Sequence, residues 1–377
     1  MKELNWNSNE SHIFLNPKAS SFVKKQVDEN DSLWNKFPST IWLQSSGSSA
    51  PSSYYSKWIG ISKEAILHSA DHVNQWIEST AQDIWLQSLP EFHIGGLSII
   101  ARSHLSGAKR VSGIPQWNVG SFLSHIRDNG VTLASLVPTQ LYDLVLARES
   151  CPPSLRCVFV GGGPLSDDLY QSARKLGWPI LITYGMTEMG SQVATSTLQE
   201  IGSETFPYPT RLPHVQWQIS NDRTLTVSGR SLASQVVILE KEKVDIQSIG
   251  EAYKSDDLVE LDPSGERIVK VTRKGRVTKI NGELVDLLSL EQRINMGQSR
   301  RVILLPRPSI RRGSEVVAVV EGIGDKDLNK RVKQFNTSIA PYERIHGIYS
   351  VDTIPQSPLG KVRYQELAGF LFYSDSH

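Results

Sequence analysis

Cysteine is scarce in this sequence, and no pattern of residues suggests a metal site built from sulfur and imidazole ligands. Only Cys151 and Cys157 occur among the 377 residues, without a CxxC pair or a cluster of cysteine and histidine. We therefore expect neither a structural zinc site nor a disulfide framework, and this composition suits a reducing compartment. The polar N-terminus has no apolar core, so we expect no signal peptide and predict a cytoplasmic location.

Long apolar runs and a strong net charge are also absent. No run approaches the roughly 18 apolar residues that a membrane span requires. The formal net charge of +1 provides no overall field that would attract nucleic acid or an anionic membrane surface. The patterns GxGxxG and GxxxxGK[ST] do not occur, which argues against the common dinucleotide and phosphate-loop folds. The length and the 39% of hydrophobic residues predict a soluble protein of one large domain or two domains.

Short apolar runs alternate with helical patterns from about residue 80 to residue 190. This order favours right-handed crossovers and a parallel sheet. After about residue 205, alternating runs joined by Asn-Asp and Pro-Ser-Gly turns predict antiparallel strands. From about residue 275, a smaller α+β pattern begins. The predicted strands of the first region are 83–90, 131–138, 156–160 and 179–185, and its helices are 94–108, 139–150 and 166–177.

Two loops of the predicted parallel sheet carry residues suited to ligand binding. "VGGGPLS" follows one strand with Gly161, Gly162 and Gly163, and "TYGMTE" ends the next strand with Thr187 and Glu188. Loops at the carboxyl edge of parallel strands are the usual ligand site of α/β proteins. The glycines would let a flat or anionic group approach the backbone. A plain strand–helix turn explains the glycines equally well, and a helix cap explains the threonine.

Eight stretches, taken in order, resemble the ordered motifs of the adenylate-forming superfamily. This superfamily contains acyl- and aryl-CoA ligases, amino-acid adenylation domains and luciferases. "YGMTEMGSQVAT", "FHIGGLS" and "SLVPTQL" are most similar to the o-succinylbenzoate–CoA ligases of menaquinone biosynthesis. The stretches are "SSGSSAP" (45–51), "LPEFHIGGL" (89–97), "SLVPTQL" (135–141), "VGGGPLS" (160–166), "TYGMTE" (183–188), "YKSDDL" (253–258), "TRKGRVTKINGELV" (272–285) and "PQSPLGKVR" (355–363).

The resemblance implies an α/β fold of two domains. Residues 1–273 would form a large ATP- and acid-binding domain with mixed, mostly parallel sheets and a β-rich segment. Residues 274–377 would form a small, mobile α+β domain that carries the catalytic lysine. The phosphate loop begins within the first 50 residues. We therefore expect that much of the usual N-terminal portion is missing.

The resemblance also implies the reaction, in which a carboxylic acid attacks ATP to form an acyl-adenylate, and coenzyme A then displaces AMP. Lys361 would bridge the substrate carboxylate and the α-phosphate, Thr187 would contact the α-phosphate, and Glu188 would hold Mg²⁺. The positive charges and the metal suit a transition state in which two anions meet. The other residues implied in ATP binding are Ser45, Ser46, Gly47, Ser48, Ser49, Gly161, Gly162, Gly163, Tyr184, Gly185, Met186, Asp257 and Arg273.

The acid is expected to bind beside His93, Ser191 and Gln192. For His93, a core histidine satisfied by the backbone is an equal alternative, and the other two residues could belong to an ordinary polar loop. An o-succinylbenzoate has a second carboxylate, which requires a cation or several hydrogen-bond donors. No residue of the sequence stands out as that partner, and Arg102 is only a guess.

Three departures from the family pattern concern turnover. The usual Pro-Lys of the phosphate loop is Pro51-Ser52; Lys57 could substitute for the lysine, and an ordinary loop lysine is an equal alternative. The family's usual Thr-Gly-Asp is replaced by Ser-Asp-Asp at 255–257. Gly275 stands where the family usually has an acidic hinge residue. Gly282 and Glu283, further along, match the loop that the family uses in the thioester step. Two alternatives therefore remain beside an o-succinylbenzoate ligase: a CoA ligase for another aryl or medium-chain acid, and a nucleotide-binding relative without turnover.

Overall fold

The computed structural model divides the chain into two compact units. The large unit comprises Met1–Ser255 and Val259–Lys270, and the small unit comprises Asp256–Leu258 and Val271–His377. The residues described are 4–17, 19, 21–44, 56–112, 114, 116–240, 243–280, 283–296, 298, 300–309, 313–322, 326–357 and 360–372.

The strands and helices follow one another along both units. The strands are β1 (His12–Phe14), β2 (Thr40–Gln44), β3 (Ser56–Ser62), β4 (Ile84–Leu86), β5 (Lys109–Val111), β6 (Leu133–Leu136), β7 (Cys157–Val160), β8 (Ile180–Met186), β9 (Ser191–Thr195), β10 (Thr210–Arg211), β11 (Gln216–Ile219), β12 (Thr224–Ser228), β13 (Gln235–Leu239), β14 (Val244–Ser248), β15 (Ala252–Leu261), β16 (Ile268–Arg273), β17 (Val277–Ile280), β18 (Glu283–Asp286), β19 (Ile303–Ser309), β20 (Gly313–Glu321) and β21 (Ile345–Val351). The α-helices are α1 (Ser21–Glu29), α2 (Asp31–Trp34), α3 (Lys63–Trp76), α4 (Ile94–Ser106), α5 (Val119–Asn129), α6 (Pro138–Leu146), α7 (Asp167–Lys175), α8 (Leu287–Asn295), α9 (Lys326–Thr337) and α10 (Tyr364–Phe372).

A seven-stranded sheet forms the centre of the large unit, in the order β10-β9-β8-β7-β6-β4-β5. The strands β4 to β8 are parallel, while β8 and β9 pair antiparallel. Strands β6 and β7 are buried throughout, because helices cover a parallel sheet and leave no polar face. Helices α5, α6 and α7 pack on one side of the sheet, where Phe122, Leu141 and Tyr170 belong to the same core cluster.

Helix ends follow the local sequence closely. Ser166 begins α7 by accepting a hydrogen bond from the Leu169 amide, as the sequence predicts. Gly107 ends α4 in the left-handed conformation, which glycine adopts at no steric cost. Helix α6 begins at Pro138 rather than Thr139, because proline fixes a helical φ and its missing N–H is not needed in the first turn.

A five-stranded sheet brings distant parts of the chain together, in the order β1-β2-β3-β13-β14. On one side Trp34, Trp42 and Trp58 form a core cluster with Val237 and Leu239. The rings of Trp34 and Trp42 lie 5.1 Å apart, edge to face, an arrangement that stabilises aromatic pairs beyond their burial. On the other side, α3 and α4 pack through a second cluster. No local pattern in the sequence indicates which strands pair with β13.

The β-rich segment forms a four-stranded sheet in the order β11-β12-β15-β16. Strands β11 and β12 pair antiparallel through a turn at 220–223, as the Asn-Asp signal predicts. Arg211 and Glu266 form a two-pronged ion pair beside this sheet, with two bonds of 2.9 Å.

The small unit contains the hairpin β17–β18 and a three-stranded sheet in the order β19-β20-β21. Strands β19 and β20 are antiparallel, while β20 and β21 are parallel. Helices α8 and α9 contribute Leu290 and Val332 to one core. Helix α10 contributes Leu367 to a second core, together with Val362. The unit therefore has its own packed interior.

No helix among the described residues is long and apolar enough to cross a membrane.

Candidate active site

The predicted ATP loops lie side by side at the carboxyl edge of the parallel sheet. Val160 of β7 pairs with Ile182 of β8, so that Gly161 begins one loop beside the last residues of the neighbouring strand. Tyr184, Gly185 and Met186 end β8, and Thr187–Met189 form a short 3₁₀ turn. The edge thus brings the glycines close to the residues that were predicted to bind phosphate and metal.

The backbone and its neighbours require glycine to different degrees at the three positions. A Cβ atom on Gly161 would lie 2.5 Å from Cγ2 of Thr183, so close packing on β8 excludes a side chain there. Gly162 has a φ of +77°, which favours glycine. At Gly163 the nearest atom to an added Cβ is Pro138 Cδ at 3.7 Å, an ordinary contact. Only Gly163 therefore lacks a structural reason to be glycine, and this makes it the sharpest candidate for close approach by a ligand.

Glu188 is held in a defined position by groups from two other strands. Its side chain is 12% exposed, and its Oε1 atom lies 3.6 Å from Lys57 Nζ on β3. The hydroxyl of Tyr253 on β15 donates a hydrogen bond of 3.0 Å to the same oxygen. The Glu188 carbonyl accepts from the Ala233 amide at 2.8 Å. The carboxylate is consequently fixed at the sheet edge while remaining partly open to solvent.

Lys57 is thus not an ordinary loop lysine, which was one interpretation of the sequence. It lies on β3, and its ammonium group faces the carboxylate that is expected to hold Mg²⁺. The hydroxyl-rich loop with Ser45, Ser46, Gly47, Ser48 and Ser49 lies outside the described residues, as do Pro51 and Ser52.

Tyr253 was missed by the sequence analysis. Its signal was its place at the start of "YKSDDL", four residues before Asp257. Because residues along a strand alternate between faces, only the fold could tell that its hydroxyl reaches Glu188.

His93 lies at the start of α4, where its backbone carbonyl accepts from the amides of Gly96 and Leu97 at 2.9 Å. Gln87 fixes this segment, because its side-chain amide donates to the carbonyls of Leu89 and Gly96 at 2.8 and 3.0 Å. A Cβ atom on Gly96 would lie 2.0 Å from the Pro90 carbonyl oxygen. The "LPEFHIGGL" motif therefore has a rigid backbone that holds His93 in one place.

Arg102 on α4 is a buried cation with little compensation. Its side chain is 2% exposed, and its guanidinium lies 5.7 Å from the ring centre of Trp85 and 5.2 Å from that of Phe159. Its Nη2 atom donates to Ser191 Oγ over a long 3.4 Å. Among the described residues no hydrogen-bond partner is found for Nε, and no carboxylate forms an ion pair with the group.

Burial lowers the pKa of Arg102 to about 9, with Cys157 acting in the opposite direction. A lowered pKa means that the folded protein disfavours the charged form, because water has been removed from the guanidinium without a counter-ion taking its place. An anion that entered beside Arg102 would supply that counter-ion.

Ser191 and Gln192, which are predicted to line the acid pocket, begin β9 next to this cation. Both are buried, and Ser191 has a φ of +128°, an unusual conformation for a residue with a side chain. Within the described part of the chain, Gln192 Oε1 accepts no hydrogen bond. Buried polar atoms without partners are uncommon in folded proteins, so this group of side chains has unused capacity for a polar ligand.

In the small unit, Asp257 and Arg273, both implied in ATP binding by the resemblance, form an ion pair. Arg273 Nε donates to Asp257 Oδ1 at 3.0 Å, and the Asp257 side chain is 10% exposed. The extra carboxylate of Asp256 is exposed, and it lies within strand β15 rather than in a turn. Gly282 lies outside the described residues, and the backbone of Glu283 begins β18.

Lys361 lies in a tight loop of the small unit. Its carbonyl accepts from the Ser357 amide at 2.7 Å, and its amide donates to Ser357 Oγ at 3.2 Å. Burial of the ammonium group among surrounding atoms lowers the pKa of Lys361, and Arg273 lowers it further, while Asp257 raises it. The side chain as a whole keeps substantial solvent exposure, and solvent moderates this lowering.

A bound Mg²⁺ fits this site only together with a nucleotide. Among the described residues no group of three or more histidine, cysteine or acidic side chains could hold a metal ion. Glu188 is a single carboxylate, and Mg²⁺ is usually held by one or two carboxylates that are completed by phosphate oxygens and water. The arrangement is therefore suited to a metal that a phosphate group shares.

Comparison with solved structures shows which fold the chain has. The o-succinylbenzoate CoA synthetase of Bacillus subtilis, in complex with the acyl-adenylate intermediate OSB-AMP, superposes with a TM-score of 0.74 at 22% identity, covering 89% of this chain and 69% of that chain. The form of that enzyme with ATP and a magnesium ion gives a TM-score of 0.72 at 22% identity, with 87% and 69% covered. Residues 57–234 match the family described as AMP-binding enzyme. The chain therefore has the adenylate-forming enzyme fold.

The names of the curated relatives specify an activity, which the fold alone does not. The 2-succinylbenzoate–CoA ligase of Lactococcus lactis is 28% identical over 289 residues, which cover 76% of this chain and 62% of that protein. The 2-succinylbenzoate–CoA ligase of Bacillus cytotoxicus is 38% identical over 137 residues, covering 34% of this chain and 28% of that protein. The chain thus spans less than two thirds of the length of these relatives.

Proposed function

We propose that the protein is an ATP-dependent acid–CoA ligase that acts through an acyl-adenylate, with o-succinylbenzoate as the acid and a role in menaquinone biosynthesis. The products would be o-succinylbenzoyl-CoA, AMP and pyrophosphate. The curated relatives with this activity support the proposal. The observation that carries it is the buried cation of Arg102 beside Ser191, because o-succinylbenzoate has a second carboxylate that needs such a partner.

The first half-reaction requires this chain to bring two anions together. Gly163 and Tyr184 would contact the adenine, and Asp257 would accept hydrogen bonds from the ribose hydroxyls with Arg273 beside it. Thr187 would contact the α-phosphate. Lys361 would bridge the reacting carboxylate and the α-phosphate, since a flexible stem with a point charge can follow charge as it develops.

Glu188 would hold Mg²⁺, which offsets phosphate charge when it is bound with ATP. Lys57 takes the place of the lysine expected in the phosphate loop, because its ammonium group already lies near Glu188. We propose that Lys57 contacts the β- or γ-phosphate and turns away from Glu188 when the nucleotide binds. This assignment supports turnover despite the altered phosphate loop.

On the acid side, His93 would line the pocket of the reacting carboxylate, and Ser191 and Gln192 would donate to the acid. Arg102 would bind the second carboxylate, because a charge-assisted bond between buried partners recovers the free energy lost when the guanidinium was desolvated. We further propose that residues 1–273 form the large ATP- and acid-binding domain and residues 274–377 the small mobile domain. A cytoplasmic location stays a prediction.

The proposal is tested by measuring pyrophosphate release with Mg²⁺·ATP and a panel of acids, with and without coenzyme A. We expect release with o-succinylbenzoate and, when coenzyme A is added, its CoA thioester. An analogue whose second carboxylate is esterified should react far more slowly.

Two results would contradict this assignment. Release with a different aryl or medium-chain acid, and none with o-succinylbenzoate, would make the protein a ligase for that acid. ATP binding without release for any acid would favour a nucleotide-binding relative without turnover. The Lys361→Ala variant serves as the chemical control, since it should lose adenylate formation and retain the attack of coenzyme A on supplied acyl-adenylate.

A further inference from the structure

A buried polar network in the small unit joins three segments that are distant in the sequence. We call Arg276, Glu291 and Tyr364 the Arg276 network. Arg276 Nη2 donates to Glu291 Oε2 at 2.6 Å, and the Tyr364 hydroxyl donates to Glu291 Oε1 at 2.9 Å. The Arg276 guanidinium also lies 3.8 Å from the centre of the Tyr364 ring. Each member therefore contacts both of the others.

The backbone of β19 completes the network. Arg276 Nη1 donates to the Leu304 carbonyl at 2.8 Å, and the Leu304 amide donates to Glu291 Oε2 at 3.0 Å. Arg276 and Glu291 are 6% and 5% exposed. Burial raises the pKa of Tyr364 above its ordinary range, and the charge of Glu291 adds to this rise. The phenol therefore stays protonated and remains a hydrogen-bond donor to the carboxylate.

The network connects the two regions of the small unit that carry candidate site residues. Arg276 ends the short turn Lys274–Arg276, directly after Arg273, which pairs with Asp257. Tyr364 begins α10, three residues after Lys361. Three residues of chain span at most about 11 Å, so fixing Tyr364 limits where the backbone of Lys361 can lie.

The segment between Lys361 and Tyr364 has little freedom of its own. Val362 is 4% exposed within the core cluster of α10, and it forms an antiparallel bridge with Gln356. The Arg363 amide donates to the Pro355 carbonyl at 2.9 Å. A displacement of Tyr364 would therefore be transmitted to the loop of Lys361.

We propose that Tyr364, held by Glu291 and Arg276, is a positioning residue that sets the place of Lys361 relative to Arg273 and Asp257. The inference rests on the proposed function, in which Lys361 acts at the α-phosphate. It adds three residues that no comparison assigns, and each has a distinct role. Arg276 anchors the turn that follows Arg273, Glu291 links the two ends, and Tyr364 holds the lysine loop.

Stability alone is a weak explanation for this network. A buried ion pair loses much of its attraction to the desolvation of both charges, and apolar side chains of similar volume often stabilise as well or better. A buried network whose members hold one another does, however, favour one geometry, and here Nη1 and Nη2 of Arg276 are bonded while Nε has no hydrogen-bond partner among the described residues. Such specificity is what a lysine needs when it must meet a developing charge at a fixed point.

The test compares the two half-reactions in Tyr364→Phe, which removes one oxygen atom and keeps the ring against Arg276. We expect adenylate formation to fall about tenfold or more, the usual effect of losing a hydrogen bond to a charged group. Attack of coenzyme A on supplied acyl-adenylate, which does not need Lys361, should keep its rate. An equal loss in both half-reactions, or no loss in either, would overturn the proposal.

Tyr349→Phe is the matched control. This variant removes the same oxygen atom from another tyrosine of the small unit, whose hydroxyl is bonded to Arg307. Tyr349 and Tyr364 both pack against the core cluster that contains Val362 and Leu367. Both half-reactions should keep their rates in this variant. A loss of adenylate formation equal to that of Tyr364→Phe would show a general effect of a missing hydroxyl and would overturn the positioning role.

A second measurement does not depend on ligase activity. The rate at which an amine-reactive reagent modifies Lys361 is followed by mass spectrometry across about pH 7–11, around the ordinary lysine pKa. If Tyr364→Phe releases the lysine loop from Arg273, the apparent pKa of Lys361 should rise relative to the wild type. An unchanged profile would overturn the proposal. A wild type that is inactive with every acid would defeat the proposed function, and the modification profile would still decide on the network.

Discussion

Replacement of Arg102 by methionine should change stability and acid binding in opposite directions. Methionine has a similar length and carries no charge, and its thioether packs well against aromatic rings. The rings of Trp85 and Phe159, which lie against the guanidinium, would thus keep a partner. The variant removes a buried cation from the free protein and, by the proposed function, removes the partner of the second carboxylate from the complex.

The lowered pKa of Arg102 gives an upper limit for the change in the free energy of unfolding. The decrease of this pKa from the ordinary arginine value to about 9 corresponds to at most roughly 5 kcal/mol at about 1.4 kcal/mol for each pKa unit. Apolar replacements of buried charges stabilise by about 1–4 kcal/mol, so we expect the melting temperature of Arg102→Met to rise by several degrees. Loss of a buried charge pair costs about 2–5 kcal/mol of binding, which predicts an affinity for o-succinylbenzoate at least about 30-fold lower.

Thermal unfolding without ligand and calorimetric titration with acid measure the two effects. Arg230→Met provides the matched control, because Arg230 is 73% exposed and pairs with Glu64 at the surface. It should change neither quantity. A monocarboxylate analogue of the acid should bind wild type and Arg102→Met alike, since it lacks the group that Arg102 is proposed to bind.

The stability difference between Arg102→Met and the wild type should change with pH in one direction. A base whose pKa is lowered by folding destabilises the folded state most below its folded pKa, and this penalty disappears as the pH rises toward the unfolded value. The stability advantage of Arg102→Met should therefore be greatest below about pH 9 and shrink as the pH rises above that value. An Arg102→Met protein that is less stable than the wild type, yet binds o-succinylbenzoate normally, would refute this reasoning.

Three further predictions concern other parts of the large unit. Glu188→Gln should reduce the Mg²⁺-dependent rate of adenylate formation by roughly 10²–10³-fold, the usual effect of removing one electrostatic contact at a transition state; an unchanged Mg²⁺ titration would mean that the metal is held elsewhere. Gly161→Ala should lower the melting temperature because its Cβ would lie 2.5 Å from Thr183, whereas Gly163→Ala should keep the melting temperature and raise the KM for ATP; equal melting temperatures in both variants would contradict the packing argument. Burial, and to a smaller extent the nearby His72 and His68, lowers the pKa of His214 from 6.5 to about 3. Between these two values the unfolded chain binds more protons than the folded protein, so acid should destabilise the wild type by up to about 2 kcal/mol at pH 5 relative to His214→Gln. Parallel stability curves for the two proteins from about pH 7 to pH 4 would exclude this contribution.

The local elements were predictable because their signals are local. The strand–helix alternation from β4 to β8 follows from apolar runs, a serine cap before α7 and a glycine after α4. The antiparallel pairing of the strands after β10 follows from the turn residues between them. The overall architecture, an adenylate-forming enzyme fold, was predicted from the order of weak motifs and is confirmed by the structural comparison.

The five-stranded sheet could not be assembled from the sequence in the same way. Val237 of β13 pairs with Trp58 of β3, and the entire parallel sheet lies between these residues in the chain. No local pattern specifies such a partner. The early strands also lack regular alternation, because β2 and β3 are buried on both faces.

The chemistry of the site was only partly predictable for a related reason. Residue type identifies Glu188 as a metal ligand candidate, but its neighbours Lys57 and Tyr253 come from other strands. For Gly161 the requirement for glycine arises from Thr183 on the adjacent strand. Arg102 was a guess, since the absence of a counter-ion around a buried guanidinium is a property of the fold and not of the helix that carries it.

The distribution of tryptophan gives the protein a built-in optical probe. All nine tryptophans precede residue 218 in the sequence, inside the large unit, and several are fully buried there. Intrinsic tryptophan emission will therefore follow the unfolding of the large unit alone, while tyrosine absorbance reports on both units. One of the nine, Trp85, lies against Arg102, so, by the proposed function, a change in its emission would signal the binding of an acid without any label.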